Sequence, residues 1–454
     1  MAAVFLKTAQ NTFLDFEERL GITQNGFLFD ASPAIASAFS DTDNTLVTVS
    51  GRLWSGDIGL LLSGDDAAVR IFEGGSVRAF GTNGPNGSHA IVFEGANADL
   101  INKGTISSVD GVALIFDNVG GVIKNYGEIS GNTVAIQAFS GLAAIDNAGL
   151  ISGEDFSILA TGLDARLRIR QFEDGILEGD VFLANAAVKS LLGHVIKGGT
   201  TSGEVTVQFD TGGGRDIFDV GLEDGSVSTV FGYTGNDLIR GASIAWGGEG
   251  DDSLLGVDSE GTSRGHTAYG EAGRDRITGY IEAYGGDDND VLIGGSFATE
   301  SAGGFASGGN GDDTISNFFN MQGGNGNDTI AMLDSFIGGR ANGGNGDDLI
   351  IGGNNRDFII GGSGDDQLFG NREIDTFRGN QGDDLIDGGD DSDFVIYAGV
   401  QADYSFTLES DGSVTVTDLN TSDGDEGTDT LIDIELVRFD GASSLGAIDI
   451  GDLI

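Results

Sequence analysis

A nine-residue period constrains this chain more than any other feature. In GGNGDDLIIGGNNRDFIIGGSGDDQLFG, residues 343–370, paired glycines return every nine residues, with aspartate at the sixth place and an aliphatic side chain at the eighth. Six residues of turn and three of strand cannot bury a core alone, so such units must stack on one another. Nonapeptides of the form G-G-x-G-x-D-x-U-x start at Thr211, Gly232, Gly247, Gly270, Gly285, Gly308, Gly323, Gly343, Gly352, Gly361, Gly370, Gly379 and Gly388, and all thirteen carry the aspartate. The last six are in tandem, whereas starts from 232 to 323 alternate gaps of 15 and 23, a 38-residue super-repeat.

A second period fills residues 46–180. Gly-x-aliphatic triads end at Leu53, Val77, Ile106, Ile129, Ile151 and Leu177, and HAIVF (89–93), VALIF (112–116), VAIQA (134–138) and FSILA (156–160) keep step with them. Units of about 22 residues, made of short strands and Gly/Asn turns, are too short for a βαβ crossover and fit one coil of a parallel β-helix. An antiparallel sandwich with evenly spaced strands is the alternative. The fold expected is all-β: an N-terminal cap (1–45), parallel β-helix repeats (46–180), a junction (181–210) with a short helix near Ala186–Val195, a parallel β-roll or β-solenoid of nonapeptides (211–396) and a C-terminal β cap (397–454). In the cap, Asp411-Gly412 reads as a hairpin turn.

Charge narrows the function. The chain of 454 residues has 22 Lys and Arg against 72 Asp and Glu, a net charge of −50. Nucleic acids and anionic membranes need basic surfaces and are excluded as partners. No apolar run reaches the ~18 residues of a membrane span. The N-terminal residues lack the apolar stretch of a cleaved secretory signal, which alone suggests the cytoplasm. Residues 211–396 hold 34 acidic and 9 basic side chains, a net of −25, and Lys197 is the last lysine. Stacked coils place these carboxylates about 4.8 Å apart, where unit charges repel by about 4 kcal/mol near a protein surface. Glycine turns direct carbonyl oxygens inward, and the sixth-place aspartate adds a carboxylate. A donor set of carbonyls and carboxylates without thiolate or imidazole suits a hard cation, and calcium fits better than magnesium because it tolerates irregular coordination.

At these residues the sequence resembles the RTX, or hemolysin-type, calcium-binding repeat family. The resemblance covers 211–396 and extends to GTDTLIDIELVRFDG (427–441). It implies multiple Ca2+ ions between loops eighteen residues apart, held by carbonyls one, three and five of one loop and by carbonyls two and four and the carboxylate of the next. Carried over, Gly343, Asn345 and Asp347 face Gly362, Gly364 and Asp366, while Gly352, Asn354 and Arg356 face Asn371, Glu373 and Asp375. Likewise Gly361, Ser363 and Asp365 face Asn380, Gly382 and Asp384, and Gly370, Arg372 and Ile374 face Gly389, Asp391 and Asp393. Asp348 and Asp357 are the remaining tandem carboxylates. Asn355, Glu373 and Asp391 replace the fourth-place glycine, so those turns are expected to be strained or altered. The interrupted repeats, with Asp216, Asp237, Asp252, Asp275, Asp290, Asp313 and Asp328, cannot follow eighteen-residue spacing and are expected to bind along a single edge or weakly.

The resemblance further implies export by the type I secretion machinery of a Gram-negative bacterium, a secreted or cell-surface location, and a structural or adhesive role with surface polysaccharide or a surface protein as partner. The alternative is a polysaccharide lyase or epimerase on the N-terminal β-helix, where Arg166, Arg168 and Arg170 alternate along a predicted strand; Glu173, Asp174 and Glu178 lie close enough to pair with them instead. No HExxH motif occurs. Gly261-Thr-Ser263-Arg-Gly265 beside His266 lacks the strand-turn-helix context of a nucleophile elbow, and His89 and His194 read as structural. No catalytic residue is assigned, and the reading favours a non-enzymatic protein.

Overall fold

In the computed structural model, side chains are described for residues 38–80, 88–117, 120–139, 144–160, 229–256, 266–295, 304–332, 338–422, 424–441 and 446–454, and parts of the remainder by their strands. Two compact units divide the chain, chiefly residues 1–248 and chiefly residues 249–454.

Through Asn147 the first unit is a parallel β-helix with three strands per coil. Leu46–Val49, Arg52–Ser55 and Ile58–Leu62 form one coil, and Ala68–Ile71, Ser76–Ala79 and His89–Phe93 form the next. Val47, Val69, Leu100, Ile123 and Ile145 pair in register along one stack, and Leu53, Val77, Ile106, Ile129 and Ile151 along the second. Leu60, Ile91, Leu114, Ile136 and Ile158 line the third. Every one of these side chains is fully buried, and each stabilises the fold by roughly 1.5–3 kcal/mol through apolar burial. All these pairings are parallel, so the coil holds and the sandwich does not.

Two features keep the coils in register. Asn102, Asn125 and Asn147 are 0 % exposed, and Asn102 and Asn125 each donate from Nδ2 to the Oδ1 of the next asparagine at 2.8 Å. Beside them Gly104, Gly127 and Gly149 stack so closely that a Cβ on Gly127 would lie 2.1 Å from Gly104 O. Parallel pairing continues through Ile176–Asn185, Val195–Thr201 and Ile217–Leu222. Of the helix expected near 186–195, residues 186–194 lie outside the described residues, and Val195 begins a strand.

The second unit is a two-sided parallel roll. One wall stacks Leu254, Ile277, Leu292, Ile315, Ile330, Ile350, Leu368 and Ile386, and the other Ala268, Ala283, Ala306, Met321, Ala341, Ile359, Phe377 and Val395. These are the eighth-place side chains and their counterparts across a thin core, all at most 2 % exposed. The interrupted repeats share this roll, because coils of 15, 23 and 20 residues stack on coils of 18.

At the C-terminal end, Tyr404–Leu408 and Val414–Asp418 form the expected antiparallel hairpin, with Gly412 at φ +98°. After it, Thr428–Ile432 and Leu436–Phe439 return to the roll as one further coil, placing Leu431 beside Ile386 and Val437 beside Val395. Among the described residues, no helix is long and apolar enough to cross a membrane.

Candidate metal centre

The repeat's turn explains its glycines. Places two and four take left-handed φ, as at Gly344 and Gly346 (both +121°) and at Gly362 (+136°) and Gly364 (+125°), a conformation open to glycine without a Cβ penalty. The first-place glycine has a different cause. A Cβ on Gly343 would lie 2.0 Å from Asp348 Oδ2 and 2.7 Å from Gly361 O, because the sixth-place carboxylate folds back over the start of its own loop.

The sixth-place aspartates line two edges. Along the first, the main-chain N–H of Asp252, Asp275, Asp290, Asp313, Asp328, Asp348 and Asp366 donates to the Oδ1 of the next aspartate in the row, ending on Asp384, at 2.7–2.9 Å. Coil length varies along this row, yet its repeat is unbroken. The insertions fall elsewhere in each coil, which is why the interrupted repeats keep one edge. The second edge is short: Asp357 N–H donates to Asp375 Oδ1 and Asp375 N–H to Asp393 Oδ1, both at 2.7 Å.

While Oδ1 is satisfied, Oδ2 is left buried without a partner on Asp275, Asp290, Asp313, Asp328, Asp348, Asp366, Asp375, Asp384 and Asp393. All nine residues are at most 2 % exposed. Burial pushes Asp275, Asp290 and Asp366 up to about 8, Asp328 and Asp375 to about 7, and Asp313, Asp348, Asp384 and Asp393 to about 6. Neighbouring carboxylates add to the rise, and the main-chain N–H donors oppose it only in part. A buried carboxylate oxygen without a donor is costly. Repeated nine times, it describes a row of acceptor oxygens that a positive ion, in place of an N–H or O–H donor, would satisfy. Among the described residues no three acidic or imidazole side chains converge on one point, so the remaining ligands must be main-chain carbonyls. That donor set fits calcium.

Loops eighteen residues apart stack place for place. Gly344 and Asn345 pair in register with Gly362 and Ser363, which pair in turn with Asn380 and Gln381. On the second edge Asn371 pairs with Gly389. Glu373 and Asp391 keep left-handed φ of +66° and +82° without glycine, at a cost of about 1–2 kcal/mol each. The loop of Gly352–Asp357 departs instead: neither Gly353 nor Asn355 has positive φ. Gly352 O accepts from Asn371 Nδ2 at 2.7 Å, and Asp357 Oδ2 accepts from Gly353 N–H at 2.7 Å.

An exposed second row runs outside the first. The N–H groups of Asp347, Asp365 and Asp383 donate to Asn327, Asp347 and Asp365 Oδ1 at 2.9–3.0 Å, each towards the preceding coil. The fifth place therefore ties coils in the sense opposite to the sixth. Asp251 and Arg274, both at fifth places, make an exposed ion pair of 2.9 Å.

Two residues of the edges were not expected. Asp384 N–H donates to Asp429 Oδ1 at 3.0 Å and Asp393 N–H to Glu435 Oε2 at 2.9 Å, so these carboxylates close the two rows. The signal for the first was present: Gly424, Gly427, Asp429 and Leu431 hold places one, four, six and eight of a fourteenth repeat, with Gly424 at φ +130° and Gly427 at +68°.

Asp237 and Asp252 are buried at sixth places, whereas Asp216 lies outside the described residues. Arg166, His194 and Gly261–Arg264 also lie outside them. Arg168 and Arg170 flank buried Ile169 on the strand Arg168–Gln171. His266 is exposed within the strand Gly265–Ala272, and burial holds His89 below the usual imidazole range.

Comparison with known families matches residues 283–298, 342–376 and 369–403 to the RTX calcium-binding nonapeptide repeat (4 copies). No curated protein and no solved structure matches the chain. The matched stretches lie on the aspartate-lined coils, so the C-terminal roll contains RTX calcium-binding nonapeptide repeats.

Proposed function

We propose that this is a secreted protein whose C-terminal roll closes on extracellular calcium and whose β-helix serves a structural or adhesive role at a cell surface. The row of buried, donorless Oδ2 atoms carries the reading. Without a cation each carboxyl either carries an uncompensated buried charge or takes up a proton, and with a cation the repulsion becomes a bridge between coils. On the first edge the ions lie between successive loops from Gly270 to Asp384, with Gly343, Asn345 and Asp347 facing Gly362, Gly364 and Asp366, and Gly361, Ser363 and Asp365 facing Asn380, Gly382 and Asp384. On the second edge Asp375 and Asp393 supply the carboxylates. Low cytosolic calcium would leave such a roll open for export by type I machinery, and millimolar calcium outside would close it.

Circular dichroism and thermal melting with calcium and with EGTA test the reading. A large rise in β signal and melting temperature on adding calcium is expected; identical curves would remove its basis. The alternative of a polysaccharide-active enzyme rests on the arginine positions flanking Ile169, and incubation with alginate and pectate, followed by absorbance of unsaturated uronates, tests it separately.

A further inference from the structure

Two sixth-place aspartates break the pattern of the others. Asp357 accepts Gly339 N–H on Oδ1 at 2.6 Å and Gly353 N–H on Oδ2 at 2.7 Å. Asp429 accepts Asp384 N–H on Oδ1 at 3.0 Å and the Tyr397 hydroxyl on Oδ2 at 2.9 Å. Each therefore has a donor on both carboxylate oxygens, where the nine sixth-place aspartates described above have one oxygen open. Asp357 stands first on the second edge, and Asp429 last on the first.

We infer that Asp357 and Asp429 are stops: carboxylates at the cation-binding place of a repeat that take no cation, because an N–H or O–H donor already fills its position. The inference rests on the calcium reading above. At Asp357 the sequence GGNNRDFII matches the motif, but without left-handed residues at places two and four the turn directs Gly353 N–H at its own carboxylate. At Asp429 the donor comes from elsewhere in the chain. Tyr397 is 3 % exposed and packed against Tyr404 and Phe439, at ring-centroid distances of 4.8 and 6.3 Å. A cation on Asp429 Oδ2 would break the hydrogen bond of this buried hydroxyl, which is costly for a donor shut off from water. The phenol thus closes the acidic edge at its C-terminal end, and the number of ions is smaller than the number of repeats.

Native mass spectrometry of the full chain in calcium-containing ammonium acetate counts the ions. Asp366→Asn, which removes an open oxygen, is expected to lose at least one calcium, while Asp357→Asn and Asp429→Asn keep the wild-type count. Tyr397→Phe, which frees Asp429 Oδ2, is expected to gain one. Loss of an ion from Asp357→Asn or Asp429→Asn would overturn the inference, as would a wild-type count in Tyr397→Phe; the latter also decides the matter if Asp429→Asn does not fold. A wild-type chain without calcium would instead refute the calcium reading, and the stops with it.

Discussion

The main-chain N–H of Asp348 meets Asp366 Oδ1 at 2.8 Å, while Asp366 Oδ2 meets no donor. One carboxylate is thus both a structural acceptor between coils and an open ligand, and calcium and the metal-free fold place opposite demands on it.

Replacing Asp366 by Asn should therefore have opposite effects in the two conditions. With calcium, loss of a ligand lowers stability by about 1–3 kcal/mol and lowers the melting temperature. After calcium removal, at a pH above the value of about 8 to which burial raises Asp366, the same change deletes a buried charge and leaves stability equal or higher. Calorimetry with and without calcium reads both signs.

Acidity should favour the metal-free roll. Folded-state values raised from 3.8 to about 6–8 mean that the folded form holds protons more tightly than the unfolded chain. The resulting stability is complete below pH about 4 and is lost as pH climbs through 6 to 8. In protein stripped by chelating resin, the second unit should melt at higher temperature at pH 5 than at pH 8. With excess calcium the order should reverse, because protons compete for the same oxygens.

Gly343→Ala should destabilise the calcium-bound protein by about 2–3 kcal/mol, since the new methyl would meet Asp348 Oδ2 at 2.0 Å. Gly412→Ala, with nothing within 4 Å and only φ +98° to strain it, should cost about 1–2 kcal/mol and leave calcium dependence unchanged. Chemical denaturation of the two variants separates collision from strain.

Asn125→Ala should act on the β-helix alone. Its side chain joins Asn102 to Asn147 by bonds of 2.8 Å, so truncation leaves buried amide groups unmatched at about 1–3 kcal/mol. The loss should be the same with and without calcium, as read from urea unfolding followed at each unit.

Much of this architecture is legible in the residues. The triads ending at Leu53, Val77 and Ile106 do stack, because parallel coils repeat the same environment at each turn. The sixth-place aspartates are recognisable for the same reason. Turn conformation is not: Asn355 and Glu373 both stand where glycine is usual, yet only Glu373 takes left-handed φ. That choice depends on the coils above and below. Asp429 was hidden by distance, for it follows Asp384 in the row only after 45 residues and an inserted hairpin. Its partner Tyr397 carries no motif at all.

The central claim is that calcium holds the second unit's coils together. Hydrogen-exchange mass spectrometry of the full chain at neutral pH tests it most directly, with peptides from 265–440 compared in millimolar calcium and after its removal. The account predicts strong protection of these peptides only with calcium, while those from 46–160 stay protected in both. Equal protection of the 265–440 peptides without the ion would contradict it.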